Sequence, residues 1–132
     1  MNYYLNIKEE LINNEVYKKV KNYSKNKSDL KTYYNVGKML SEAGKHYGKG
    51  IIKEYSKRLT SELGKKYNET ILKRIRQFYV LINKGATVSH QLTWSHYIEL
   101  LPLKDINKID YYIKITEEQN KFQKFLKMSL KK

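Results

Sequence analysis

The sequence predicts an all-α fold. Its 132 residues include one proline and six glycines, and four of those glycines fall between positions 37 and 50. Apolar residues recur with the 3.6-residue period of a helix, and no stretch alternates as a half-buried strand would. There is no cysteine, which excludes a disulfide framework and a thiolate zinc site. We therefore expect a compact multi-helix domain that spans residues 1–132.

The first two helices are predicted from spacing and from one glycine. The first helix is predicted over about residues 3–23, and four of its aliphatic side chains share a face that we expect to be buried. They are Leu5, Ile12, Val16 and Val20. The second helix is predicted to begin at Ser28 as its N-cap and to end at the glycines from Gly44 onwards. Gly37, inside it, costs about 1 kcal/mol relative to alanine, which indicates that another helix backbone approaches closely there.

The third and fourth helices are separated by a short polar linker. Gly64 is placed to end the third helix, and Asn68 is placed to cap the fourth. The fourth helix carries an apolar stripe at spacings of 0, 4, 7 and 11 residues, typical of a core-facing helix. The stripe consists of Ile71, Ile75, Phe78 and Ile82.

The last third of the chain begins with a polar loop. Thr93 is a predicted N-cap for a short helix over residues 94–101, which Pro102 stops. Asp105 is predicted to cap a sixth helix that runs to Ile115. A separate basic helix is predicted over about residues 119–132.

The positive charge is concentrated in two blocks and a tail. Residues 16–40 carry +6, residues 41–84 carry +7, and the last fourteen residues carry +5. Residues 1–15 and 85–118 carry −2 each. A polyanionic partner is expected, and nucleic acid is favoured because neutralising its phosphates releases counterions. An anionic membrane is disfavoured because the basic segments leave no broad apolar face after core packing.

The sequence shows no pattern typical of a metal site, a catalytic site or a phosphate-binding loop. The three histidines are loosely spaced and no cysteine joins them, so we expect no metal site. Neighbouring glutamates diverge by about 100° along a helix instead of facing each other, which argues against acid catalysis. No phosphate loop is readable. We predict a protein without catalytic residues or cofactors.

The expected localisation is based on the absence of a membrane span and of a secretory signal from the hydropathy pattern. No apolar run approaches the roughly 20 residues of a membrane span, and the first residues lack the basic and apolar pattern of a secretory signal. We expect a cytoplasmic protein that does not enter a membrane.

Four short segments, taken in order, carry a family resemblance. They are YNVGKML at 34–40, YGK at 47–49, RIRQFY at 74–79 and LTWSHY at 92–97. Over roughly residues 12–130 the chain resembles the amino-terminal domain of YhcG-type proteins, in which an all-helical module precedes a PD-(D/E)xK nuclease domain. The resemblance implies a helix-turn-helix-like DNA-binding unit in a restriction, defence or mobile-element setting. The nuclease signature itself is absent up to Lys132, so no nuclease site is carried over, and the sequence leaves open whether the module is natural or excised.

The third and fourth helices have the lengths and linker of a helix-turn-helix pair, whose second helix enters the major groove. Lys73, Arg76 and Gln77 point away from the apolar stripe and suit base reading; an ordinary solvated helix face is the alternative. Further basic residues are candidates for phosphate contacts. These are Lys45, Lys49, Lys53, Lys57, Arg58, Lys65, Lys66 and Arg74.

Aromatic residues suggest two weaker hypotheses. Exposed tyrosines could stack on single-stranded bases, but Tyr33 and Tyr55 occupy core-side positions, which favours a structural role. Trp94, His96 and Tyr97 are candidates for a partner pocket, against the alternative that Trp94 fixes a loop to the core.

We therefore predict a noncatalytic DNA-binding module. The alternative is an interaction module that docks a partner chain or forms a homo-oligomer through the Trp94 region and the last helix.

Overall fold

The computed structural model describes residues 2–20, 25–89 and 91–130, and their side chains except those of 25–27 and 122–130. The described residues form six α-helices and no strand, which confirms the all-α prediction. The helices are α1 Tyr3–Val20, α2 Lys25–Tyr47, α3 Ile51–Leu63, α4 Glu69–Asn83, α5 Trp94–Leu100 and α6 Ile106–Leu130. Short 3-10 turns, Lys65–Tyr67 and Leu101–Leu103, follow α3 and α5.

The chain divides into two units, Met1–Val80 and Leu81–Lys132. The core of the first unit draws fully buried side chains from α1 to α4, because each helix presents an apolar stripe to the others. Its largest members include Tyr4, Ile7, Leu11, Leu30, Leu40, Ile52, Leu59, Leu72, Ile75 and Phe78.

Gly37 confirms the expected close approach of two helices. A Cβ added there would lie 2.5 Å from the carbonyl oxygen of Ile75 and 2.6 Å from Cβ of Tyr79. Both residues belong to α4, so the absence of a side chain at position 37 lets the backbones of α2 and α4 pack together.

The predicted buried face of α1 is wrong. Leu5 is 52% exposed, Val16 55% and Val20 70%, and Ile12 is also exposed. The buried face carries Tyr3, Tyr4, Ile7, Leu11 and Asn14 instead. At 100° per residue these two stripes lie on opposite sides of the helix, and the buried one holds the larger aromatic area. The predicted extension of the first helix to Tyr23 lies outside the described residues.

The predicted limits of α2 hold only in part. Helix α2 already includes Lys25, so Ser28 lies inside it and its hydroxyl donates to Oδ1 of Asn14. The helix passes through Gly44, because a single helical glycine weakens a helix by only about 1 kcal/mol, and it ends at Tyr47, before Gly48 with its φ of +86°. The predicted glycine break is therefore confirmed at Gly48 and wrong at Gly44.

Helix α4 follows the predicted pattern closely. The Ile71 amide donates to Oδ1 of Asn68 at 3.0 Å, which confirms the cap. Ile75 and Phe78 are buried as predicted. Ile71 and Ile82 are only half-buried, so the centre of the stripe carries more of the packing than its ends.

In the second unit, a loop lies between the short helix α5 and the long helix α6. Its buried apolar residues are Leu81, Ala86, Leu92, Tyr97, Leu101, Ile109 and Ile113. Oδ1 of Asp105 accepts from the Asn107 amide at 2.9 Å, which confirms the predicted cap of α6.

The predicted break before a separate basic helix over 119–132 is wrong. Helix α6 runs uninterrupted to Leu130, since no glycine or proline stands between Ile115 and the tail to stop it. The side chains of the tail from residue 122 onwards lie outside the described residues.

Candidate nucleic-acid interface

Most of the charge belongs to the first unit. Residues 1–80 contain eighteen basic and eight acidic side chains, a formal +10 of the total +14. A local excess of this size attracts a polyanion over several ångströms before any contact forms.

Four lysines form what we call the lysine row: Lys45, Lys49, Lys53 and Lys57, spaced four residues apart. Lys45 lies in the last turn of α2, Lys49 in the connection that follows, and Lys53 and Lys57 one turn apart on α3. All four are exposed, and none forms an ion pair with a residue in the described part of the chain. Their ammonium groups are therefore available for phosphate oxygens.

Two other phosphate candidates are already engaged within the fold. Nζ of Lys66 lies 2.9 Å from a carboxylate oxygen of Glu15 and 5.4 Å from the ring centroid of Tyr67. The guanidinium of Arg58 lies 3.6 Å from the ring centroid of Tyr4, a cation–π contact. Lys65 is exposed, whereas Arg74 is half-buried.

The predicted base-reading residues lie on α4 with unequal exposure. Lys73 is exposed and pairs with Glu69 at 3.1 Å, one turn earlier on the same helix. An exposed pair of this spacing is worth about 0.3–0.5 kcal/mol, so a phosphate or a base could displace it. Arg76 and Gln77 are half-buried, so only part of each side chain is accessible to a ligand.

The connection between α3 and α4 is held in place by Tyr67. Gly64 ends α3 with φ +112°, a value that glycine adopts readily. Tyr67 is buried, and its hydroxyl donates to Oε1 of Glu15 at 3.1 Å. Burial and the nearby Glu15 carboxylate raise the pKa of Tyr67. Hydrogen bonding to Lys66 lowers the pKa of Glu15.

Two residues of the predicted partner pocket, Tyr97 and His96, have roles within the second unit. Tyr97 is buried; its hydroxyl donates to the Thr87 carbonyl at 3.0 Å and accepts from the Ser89 amide at 2.7 Å. The side chain of His96 accepts from the Thr93 amide at 2.9 Å, completing a capping box. Trp94 is half-buried. Tyr97 thus fixes the loop before α5, and the role predicted for Trp94 stays a prediction.

The described residues include no cluster of three or more histidine, aspartate or glutamate side chains suited to a metal ion. Among them, no helix combines the length and hydropathy that a membrane crossing requires.

Sequence reasoning gave no role to an aromatic group where α1 meets the end of α2. The ring centroids of Tyr3 and His46 lie 5.9 Å apart, and those of Tyr3 and Tyr47 6.4 Å apart. Spacing along the chain cannot reveal this group, because its members come from different helices.

The fold and charge define a class of all-α, strongly basic domains. The family model of the DUF1016 N-terminal domain matches residues 6–132, so the chain belongs to this family, which is that of the YhcG-type N-terminal domain. No curated protein and no solved structure matches the chain.

Proposed function

We propose that this chain is a noncatalytic DNA-binding module. The observation that supports the proposal most directly is the lysine row, four exposed lysines without ion-pair partners among the described residues, in a unit of formal charge +10. Four exposed lysines without ion-pair partners suit contacts with phosphates, which position a protein on DNA without reading sequence.

In this proposal α4 is the reading element of a helix-turn-helix-like pair formed with α3. The exposed Lys73 and the accessible parts of Arg76 and Gln77 would contact base edges. The short connection supports this role, because Tyr67 and Asn68 hold the start of α4 in a defined position.

The protein setting of the module is part of the proposal. The resemblance to YhcG-type proteins supports a targeting role, in which the module brings a PD-(D/E)xK nuclease, in the same chain or another, to DNA in the cytoplasm. A restriction or defence system is the expected context.

The test replaces the four lysines of the row by glutamine and measures affinity for a random duplex of about 30 base pairs by fluorescence anisotropy. The matched control replaces Lys84, Lys104, Lys108 and Lys114, four exposed lysines of the second unit. We expect the row variant to bind at least about tenfold more weakly at low salt and the control to lose much less. Equal losses would show that net charge, and not the row, drives binding.

Base reading by α4 is tested separately. Arg76→Ala is expected to reduce the ratio of specific to random binding after a preferred site has been selected, because a base contact is worth about 1–3 kcal/mol of discrimination. Lys53→Ala is expected to weaken binding to all sequences alike. Parallel losses for both variants on both duplexes would reject α4 as the reading helix.

A further inference from the structure

An open cleft of about 800 Å³ lies in the first unit, between the start of α1, the end of α2 and one face of α3. Small-molecule sites usually enclose about 300–1,000 Å³, so a nucleotide-sized ligand fits. The side chains that matter here are Tyr3, Tyr4, Tyr47, Tyr55, Glu54 and Arg58.

The cleft has a fixed aromatic floor and one accessible ring. Tyr3, Tyr4 and Tyr55 are buried, and the ring centroids of Tyr4 and Tyr55 lie 5.4 Å apart. Tyr47 is 61% exposed, although its ring meets that of Tyr3 edge to face. The Tyr47 ring is therefore in contact with Tyr3 on one side, while much of its surface stays open to a ligand.

Polar groups converge on the same cleft from α3. Glu54 and Arg58 lie one turn apart, and neither forms an ion pair with a residue that the structure describes. The guanidinium of Arg58 lies 3.6 Å from the ring centroid of Tyr4, and this cation–π contact holds it beside the cleft. Lys53 and Lys57 of the lysine row are the chain neighbours of these two residues on α3.

We infer that this cleft binds an unstacked nucleobase together with its phosphate. Tyr47 stacks on the base, Glu54 accepts from an exocyclic amino group, and Arg58 donates to the phosphate. A planar base needs an exposed aromatic face, a carboxylate pairs with the amino group of cytosine, and guanidinium groups bind phosphate well. The inference rests on the proposed function, which makes a nucleic acid the source of the ligand. It adds that part of this nucleic acid is single-stranded.

The experiment measures the binding of labelled oligodeoxycytidylate of about 15 nucleotides and, in parallel, of a blunt duplex. Tyr47→Ala is compared with Tyr47→Phe and with Tyr111→Ala, because Tyr111 is exposed to the same 61% but lies in the second unit. Circular dichroism verifies that each variant is folded.

We expect Tyr47→Ala to bind the single strand about tenfold more weakly, the typical loss for one stacked base. Tyr47→Phe retains the ring and should bind like the wild type, as should Tyr111→Ala. Blunt-duplex binding should not change in any of the three. Equal behaviour of Tyr47→Ala and Tyr111→Ala on the single strand would overturn the inference.

Two further comparisons distinguish a nucleic acid strand from a free nucleotide as the ligand, and the cleft proposal from the proposal of duplex binding. Deoxycytidine monophosphate should bind far more weakly than the oligonucleotide; equal affinity with the same dependence on Tyr47 would make a free nucleotide the ligand and overturn the assignment to a strand. Duplex binding that is intact while Tyr47→Ala has no effect on the single strand rejects only the cleft. If the wild type does not bind the duplex but binds the single strand in a way that depends on Tyr47, only the proposal of duplex binding is rejected.

Discussion

Gly37 lies where the backbones of α2 and α4 approach too closely for a side chain. The sequence indicated this contact, because a glycine inside a helix is unfavourable unless packing requires it. The same reasoning cannot distinguish Gly37 from Gly44, which also lies inside α2 but has no atom within 4 Å of an added Cβ. Which glycine packs depends on the position of α4, and chain spacing does not give that position.

Gly37→Ala is therefore expected to destabilise the fold by about 1–3 kcal/mol, the usual cost of overpacking, even though alanine favours the helix. Gly44→Ala is expected to stabilise by up to about 1 kcal/mol. Urea unfolding of both variants measures the difference. A Gly37→Ala variant as stable as Gly44→Ala would contradict the close helix contact.

Helix α1 shows why a correct helix can be predicted with the wrong face buried. Both of its stripes are apolar at helical spacing, and the aliphatic stripe of Leu5, Ile12, Val16 and Val20 looked more hydrophobic. The buried stripe is fixed by partners elsewhere in the first unit. Asn14 is an example, since it donates to Asp29 of α2 at 2.9 Å. The spacing of apolar residues within one helix does not reveal such partners on other helices.

The orientation of α1 predicts unequal effects of the same substitution. Ile7→Ala should destabilise by about 2–5 kcal/mol, as expected for a fully buried isoleucine. Ile12→Ala should change stability by about 0.5 kcal/mol or less, as surface substitutions do. Chemical denaturation of the two variants is the measurement. A larger loss of stability for Ile12→Ala would show that the face predicted from the sequence is the buried one.

The contact of α1 with the α3–α4 connection should depend on pH. Hydrogen bonding to Lys66 lowers the pKa of Glu15 below the ordinary value of a glutamate. A lowered folded-state pKa contributes stability that is present above the unfolded-state value and is lost as the pH falls through the folded-state value. The contribution of Glu15 should therefore fade below about pH 4.5.

Glu15→Gln tests this dependence. At pH 7 we expect a loss of about 0.5–1 kcal/mol, because the ion pair is partly exposed, and the gap to the wild type should close as the pH falls to about 3. Urea unfolding at several pH values measures the gap. A gap that stays constant between pH 7 and 3 would mean that the Glu15 charge does not stabilise the connection.

Charge is the property of the protein that its sequence predicts best, and the geometry of the site is the one it predicts least. The all-α class, the caps at Asn68 and Asp105 and the basic first 80 residues could all be predicted, since each follows from local spacing or simple counting. The pairing of Lys66 with Glu15 and the gathering of Tyr3, Tyr47 and Arg58 around one cleft could not. Those contacts join residues that are far apart in the chain.

A salt series tests whether the lysine row engages phosphates. Each phosphate neutralised on duplex DNA contributes about −0.9 to the slope of log K against log salt. We predict a steep slope for the wild type, a slope shallower by about 3–4 for the variant that lacks the four lysines, and a nearly unchanged slope for the second-unit control. Undetectable wild-type binding at low salt, or equal slopes for the wild type and the row variant, would mean that the lysine row does not engage phosphates.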